Sequence, residues 1–169
     1  MFQVYTGDGK GKTTAAFGLA LRATGHDWPV LIIQFMKGDP GYGEVIAARQ
    51  VRNLEVVQTG LRTFVEKGNP SEADLTEAAR GLDLARAALG SGRYRMVILD
   101  EMNVAVDYGL VRLGDALALI DACPPEVELV FTGRYACREV IERADLVSEV
   151  LDIRHPIRKG IVSRAGVDH

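Results

Sequence analysis

Lys12, Thr13, Asp100, Glu101 and Arg134 are the residues whose types and surroundings could do chemistry in this 169-residue chain. Lys12 and Thr13 close the run Val4-Tyr5-Thr6-Gly7-Asp8-Gly9-Lys10-Gly11-Lys12-Thr13-Thr14. Glycines at positions 7, 9 and 11 let the backbone curl around an anion with its amide hydrogens turned inward. The helix expected after them adds positive partial charge. Lys12 then offers a point charge to phosphate oxygens, and Thr13 a hydroxyl suited to magnesium. This is a phosphate-binding loop of the Walker A kind, except that Thr6 stands where G-x-x-x-x-G-K-[ST] asks for glycine. Asp100 and Glu101 end the apolar run Met96-Val97-Ile98-Leu99. In a phosphate-loop protein a carboxylate at that place holds magnesium directly or through water. Arg134, in Thr132-Gly133-Arg134, follows another apolar run and suits bidentate contact with phosphate.

These groups converge only if strands deliver them to one edge. Residues 2–6 read as the first strand and 13–24 as a helix ending near Gly25. Val30-Leu31-Ile32-Ile33 is continuously apolar, as a strand covered on both faces should be. Gln34-Phe35-Met36-Lys37-Gly38 follows it, so Lys37, with Glu44 beyond, falls on the ligand side of a doubly wound sheet. Residues 44–52 read as helical, 54–57 as a strand and 58–70 as a loop. Ser71-Glu72-Ala73-Asp74 resembles a capping box, and Leu75, Ala78, Ala79, Leu82, Ala85 and Leu89 continue at helical spacing. Further strands are predicted at 96–99 and 127–131, helices at 112–122 and 137–143, and a strand-like segment through to Ile153. The pattern predicts a single α/β domain over 1–169, a three-layer P-loop NTPase-like fold with a mainly parallel sheet.

Composition narrows the setting. The net charge of −3 leaves the chain as a whole without the basic footprint of nucleic-acid binding. Cys123 and Cys137 fit neither a metal spacing nor a disulfide framework, so reduced thiols in a cytoplasmic protein are expected. No apolar run reaches membrane-spanning length. The basic cluster Arg154-His155-Pro156-Ile157-Arg158-Lys159 reads equally as a polyphosphate attractant or a solvated tail. Taken alone, the residues imply magnesium and a nucleoside triphosphate, and leave phosphoryl transfer, hydrolysis and sensing open.

Several segments in order resemble the ATP:corrinoid adenosyltransferases of the phosphate-loop type. They are Tyr5 to Ala16, Gln34-Phe35-Met36-Lys37-Gly38, Gly43-Glu44, Leu99-Asp100-Glu101, Thr132-Gly133-Arg134, Ala144 to Glu149, His155-Pro156, Gly160-Ile161 and Gly166-Val167. The resemblance implies transfer of the 5′-deoxyadenosyl group of ATP to the Co(I) of a reduced corrinoid, with triphosphate released. ATP would lie reversed in the loop, with C5′ toward the acceptor. By the same resemblance Gly7, Asp8, Gly9, Lys10, Gly11, Lys12, Thr13 and Thr14 hold the triphosphate. Thr13 and Glu101 hold magnesium with Asp100 beside them, and Lys12, Glu101 and Arg134 form the catalytic set. Phe64, in Leu61-Arg62-Thr63-Phe64, falls where the family places an aromatic near the lower face of the ring. Family members commonly carry a longer N-terminal segment over the corrinoid. A homodimer is a further expectation, and the resemblance leaves room for a flavin-type electron donor. A non-catalytic ATP- or corrinoid-binding regulator and a small P-loop kinase or NTPase stand as alternatives.

Overall fold

In the computed structural model, residues 1–155, 158, 160 and 162–168 are described. Six strands form one sheet: β1 (Phe2–Thr6), β2 (Val30–Phe35), β3 (Leu54–Thr59), β4 (Met96–Asp100), β5 (Glu128–Thr132) and β6 (Leu146–Glu149). Their order is β3-β2-β4-β5-β1-β6, and every neighbouring pair is parallel. The sheet is therefore wholly parallel where a mainly parallel one was expected. Parallel pairing requires crossovers, and among the described residues six helices supply them: α1 (Lys12–Thr24), α2 (Gly43–Ala48), α3 (Glu72–Gly90), α4 (Met102–Asp107), α5 (Leu113–Asp121) and α6 (Arg138–Arg143).

Side chains alternate across each strand, so one apolar run serves two cores. Leu31, Ile33 and Phe35 of β2 face the core that also holds Ala78, Leu82 and Ala85 of α3 and Leu119 of α5. Val30 and Ile32 face Ala16, Ala20 and Ala23 of α1 on the other side. The small alanines bring α1 close to the strands, which fixes the loop at its N-terminus against the sheet edge. Helix α3 begins with a true capping box: Asp74 N donates to Ser71 Oγ and Ser71 N to Asp74 Oδ2.

Helix α2 stops at Ala48 where a helix through 52 was expected, β3 runs on through Thr59 past the expected 57, and two further elements depart more fully. Strand β6 ends at Glu149, short of the expected Ile153, because its partner β1 ends at Thr6 and the chain beyond must follow the loop. There Val150 N donates to Thr6 O at 2.9 Å and Gly9 N donates to Val150 O at 2.7 Å. Helix α4, which the sequence reading does not contain, starts directly from β4 through Glu101, whose φ of 62° is left-handed. Of the tail residues, Pro156, Ile157, Lys159 and Ile161 lie outside the described set. Arg158 pairs with Asp152 at 2.6 Å, and His155 lines the main cavity.

Candidate active site

The loop between β1 and α1 is shaped by what lies behind it. A Cβ on Gly7, where φ is 95°, would meet Val150 O at 2.5 Å, so only glycine lets the loop lie on the chain after β6. Lys12, in the first turn of α1, folds back so that Nζ donates to Gly7 O at 2.7 Å and Gly9 O at 2.6 Å. Burial, with Arg134 nearby, lowers its pKa from the ordinary lysine value. Arg134 itself reaches back across the loop, its Nη2 donating to Asp8 O at 3.1 Å. The unusual Thr6 has a visible use: its hydroxyl accepts from Ala136 N at 3.3 Å and ties the loop after β5 to the end of β1.

Under the loop runs a row of polar side chains across four strands at their C-terminal ends. Gln58 donates to Gln34 at 3.1 Å, and Gln34 donates to Asp100 Oδ2 at 3.1 Å. Thr132 donates to Asp100 Oδ1 at 2.6 Å and accepts from Glu101 N at 3.0 Å. Thr13 also donates to Asp100 Oδ1, at 2.9 Å, and Lys37 Nζ donates to Oδ2 at 2.8 Å. Asp100 is wholly buried, yet four donors meet its two oxygens and occupy the roughly four acceptor positions of a carboxylate. Burial alone would raise its pKa; Lys37 and the hydroxyl donors outweigh this and hold it below the usual value. Burial opposes the charge on Lys37, but Asp100 and Glu101 carry its pKa above the ordinary one.

Glu101 is built differently. Its carboxylate lies against Gly133, where a Cβ would come within 3.2 Å of Oε2, and among the described residues no group donates a hydrogen bond to it. Burial first, and then the charge of Asp100, raise its pKa above the ordinary glutamate value. A non-glycine residue in left-handed conformation is strained, and such strain concentrates at functional sites.

These groups open into one cavity of about 950 Å³, whose lining includes Gly9 to Thr14, Lys37, Glu101 and Arg134. Tyr108, Tyr135 and Phe64 also line it. Lys67 stands 5.7 and 5.3 Å from the ring centres of Tyr108 and Tyr135 and pairs with Asp107 at 2.6 Å. Phe64 is fully solvent-exposed at the rim. Residues of the C-terminal segment reach this cavity: Lys10 Nζ donates to Val167 O at 2.5 Å and pairs with Asp168 at 2.8 Å. The hydrogen bond from Lys10 chiefly holds the Asp168 pKa down, to about 2.

Of the twelve site residues expected from the sequence, nine line the cavity; Gly7 and Asp100 lie behind it, bound to Lys12 and Thr13, and Asp8 stands outside, bound to Arg134 through its carbonyl. Sequence reasoning missed Gln58 and the two tyrosines, and named Gln34 and Thr132 only as parts of segments. Polar residues ending apolar strands were the available signal for Gln34, Gln58 and Thr132.

A wholly parallel sheet with a glycine-rich loop after β1, a lysine and threonine opening α1, and acids ending a central strand define a P-loop nucleotide-binding domain. The family model described as ATP:corrinoid adenosyltransferase BtuR/CobO/CobP matches residues 1–169. The corrinoid adenosyltransferase of Escherichia coli K12 is 34% identical over 174 residues, 98% of this chain and 84% of that protein. That of Pseudomonas aeruginosa is 33% identical over 165 residues, 98% of this chain and 81% of that protein. An uncharacterized protein of Nostoc sp. is 37% identical over 166 residues, 90% of this chain but only 44% of the longer Nostoc protein. The chain belongs to the ATP:corrinoid adenosyltransferase family.

Proposed function

We propose that this protein transfers the 5′-deoxyadenosyl group of ATP to the Co(I) centre of a reduced corrinoid and releases triphosphate. The observation that carries the reading is the make-up of one cavity, lined both by a cationic phosphate cradle and by aromatic side chains, of which Phe64 and Tyr135 are exposed. Co(I) attacks C5′ with its electron pair, the Co–C bond forms, and the C5′–O5′ bond breaks with its electrons leaving on triphosphate. The protein need supply no covalent nucleophile. Its work is to hold C5′ in line with the acceptor and to stabilise charge on the departing triphosphate. Lys12, Lys10 and Arg134 surround the loop for the second task. The corrinoid must arrive as Co(I), so a low-potential donor such as a reduced flavin would act before the transfer, reducing Co(II) by one electron.

The donor set fits a magnesium ion, which favours one or two carboxylates together with substrate phosphates. Thr13 gives its hydroxyl hydrogen to Asp100 and accepts from Lys37, which leaves one lone pair for a cation, and Glu101 lines the same cavity. Asp100, with its acceptor positions filled, acts through Thr13 and is not a direct ligand. When bound, magnesium would neutralise triphosphate charge. Phe64, Tyr108 and Tyr135 would meet the corrinoid. Incubation with ATP, magnesium and chemically reduced cob(I)alamin tests the reading. Adenosylcobalamin and triphosphate should form in equal amounts; ADP and phosphate without a Co–C bond would instead mark a phosphoryl-transfer enzyme.

A further inference from the structure

Lys37 has no part in the loop or the acceptor wall, yet its position is tightly fixed. It follows Met36, a non-glycine residue with φ of 60°. The turn after β2 is pressed against the turn after β3: a Cβ on Gly38 would lie 2.3 Å from Gly60 O, and one on Gly60 would lie 2.5 Å from Lys37 N. The backbone therefore cannot retreat in that direction. From it Nζ donates to Asp100 Oδ2 at 2.8 Å and to Thr13 Oγ1 at 3.2 Å, while the side chain keeps 17% exposure to the cavity. A positive charge thus sits against Thr13 and Asp100, beside the cavity that the phosphate loop lines. Without it, the buried Asp100 carboxylate would keep only uncharged donors, with Glu101 beside it.

We propose that Lys37 is a resident cation that makes metal binding conditional on the nucleotide. In the free protein its ammonium balances Asp100 and repels a lone divalent ion. An ion arriving with triphosphate carries enough negative charge to cancel that repulsion, and the phosphate oxygens give Lys37 a second set of acceptors. The consequence is an ordered site, closed to free metal and open to the metal–nucleotide complex. Lys37 is on this account a positioning residue, and the proposal rests on the metal reading given above.

Mn²⁺ uptake followed by water proton relaxation separates ion on the protein from ion on free ATP. Wild type, Lys37→Met, Lys37→Gln and Lys37→Arg should be compared with and without ATP. Wild type and Lys37→Arg should take up Mn²⁺ only when ATP is present. Removing the charge should tighten Mn²⁺ binding to the nucleotide-free protein by about tenfold or more, as expected for losing a like charge a few ångströms away in a half-buried site. Lys37→Gln keeps a hydrogen-bond donor for Asp100, so it carries the test if Lys37→Met does not fold. Equal Mn²⁺ binding by folded Lys37→Gln and wild type, or tight Mn²⁺ binding by nucleotide-free wild type, would overturn the proposal and leave the metal reading standing. Failure of wild type to form any Mn²⁺–ATP–protein complex would overturn the metal reading and this proposal with it.

Discussion

The two walls of the cavity are made on opposite principles. On the phosphate wall, Lys12 is spent on two carbonyls of its own loop, and Asp100 is buried with a donor for each acceptor position. On the other wall, Phe64 is bare, Tyr135 is 49% exposed, and Lys67 rests over two rings at the surface. Preorganised polar groups cost nothing to arrange at the moment of reaction, so the rigid wall suits the part of ATP where charge develops. Exposed rings gain most when something large and flat covers them. Triphosphate would have to draw Lys12 off its own loop carbonyls to enter an otherwise fixed wall, whereas a corrinoid would cover rings that stand open.

Lys12→Ala should break the phosphate wall outright. Adenosyl transfer should fall by about 10²–10³-fold or more, the usual range for removing one preorganised donor to developing charge, while circular dichroism stays native. Asp100→Ala attacks the same wall through its support. It leaves Lys37 as an uncompensated cation of low exposure, and chemical denaturation should register a loss of about 3–5 kcal/mol. On the acceptor wall, Phe64→Ala should raise KM for the corrinoid by about tenfold and leave KM for ATP unchanged. Its stability should stay within about 0.5 kcal/mol of wild type, since the ring is exposed. A combined loss of ATP and corrinoid affinity in that variant would dissolve the distinction between the walls.

Glu101 sharpens the comparison from the phosphate side. Burial and Asp100 raise its pKa, so the ligand-free fold takes up a proton here more readily than the unfolded chain does. That contribution to stability is complete below the unfolded value and is lost as pH rises through the folded one. Glu101→Gln mimics the protonated form. At neutral pH it should raise the melting midpoint of the free protein, by about 2–4 °C for each kcal/mol of strain removed in a chain of this size, while lowering transfer. An unchanged or lower midpoint would show that the carboxylate is not strained by its surroundings. Smallest of all, Ser71→Ala removes the cap of α3, far from both walls. It should cost about 1 kcal/mol in denaturation and nothing in turnover.

What was legible in the sequence follows from separation along the chain. The unit β1–loop–α1 is continuous, so Gly7 to Thr14 can be read directly, and Asp100-Glu101 stand out because acids abruptly end an apolar strand. The row Gln58–Gln34–Asp100–Thr132 depends on the register of four strands drawn from distant segments, which no local pattern encodes. Helix α4 spans six residues, too few for a helical period to show, and its left-handed start leaves no capping residue to read. The contact of Lys10 with the tail joins residues 157 positions apart. Local chemistry was visible; its neighbours across the sheet were not.

The central claim is that the loop prepares the C5′–O5′ bond of ATP for cleavage, and ATP carrying ¹⁸O at the bridging O5′ tests it most directly. With cob(I)alamin as acceptor, all of the label should appear in released triphosphate and none in the cobalt-bound adenosyl group. Label retained on a nucleoside or nucleotide product, with phosphate or ADP released, would place the cleavage at phosphorus and contradict the account.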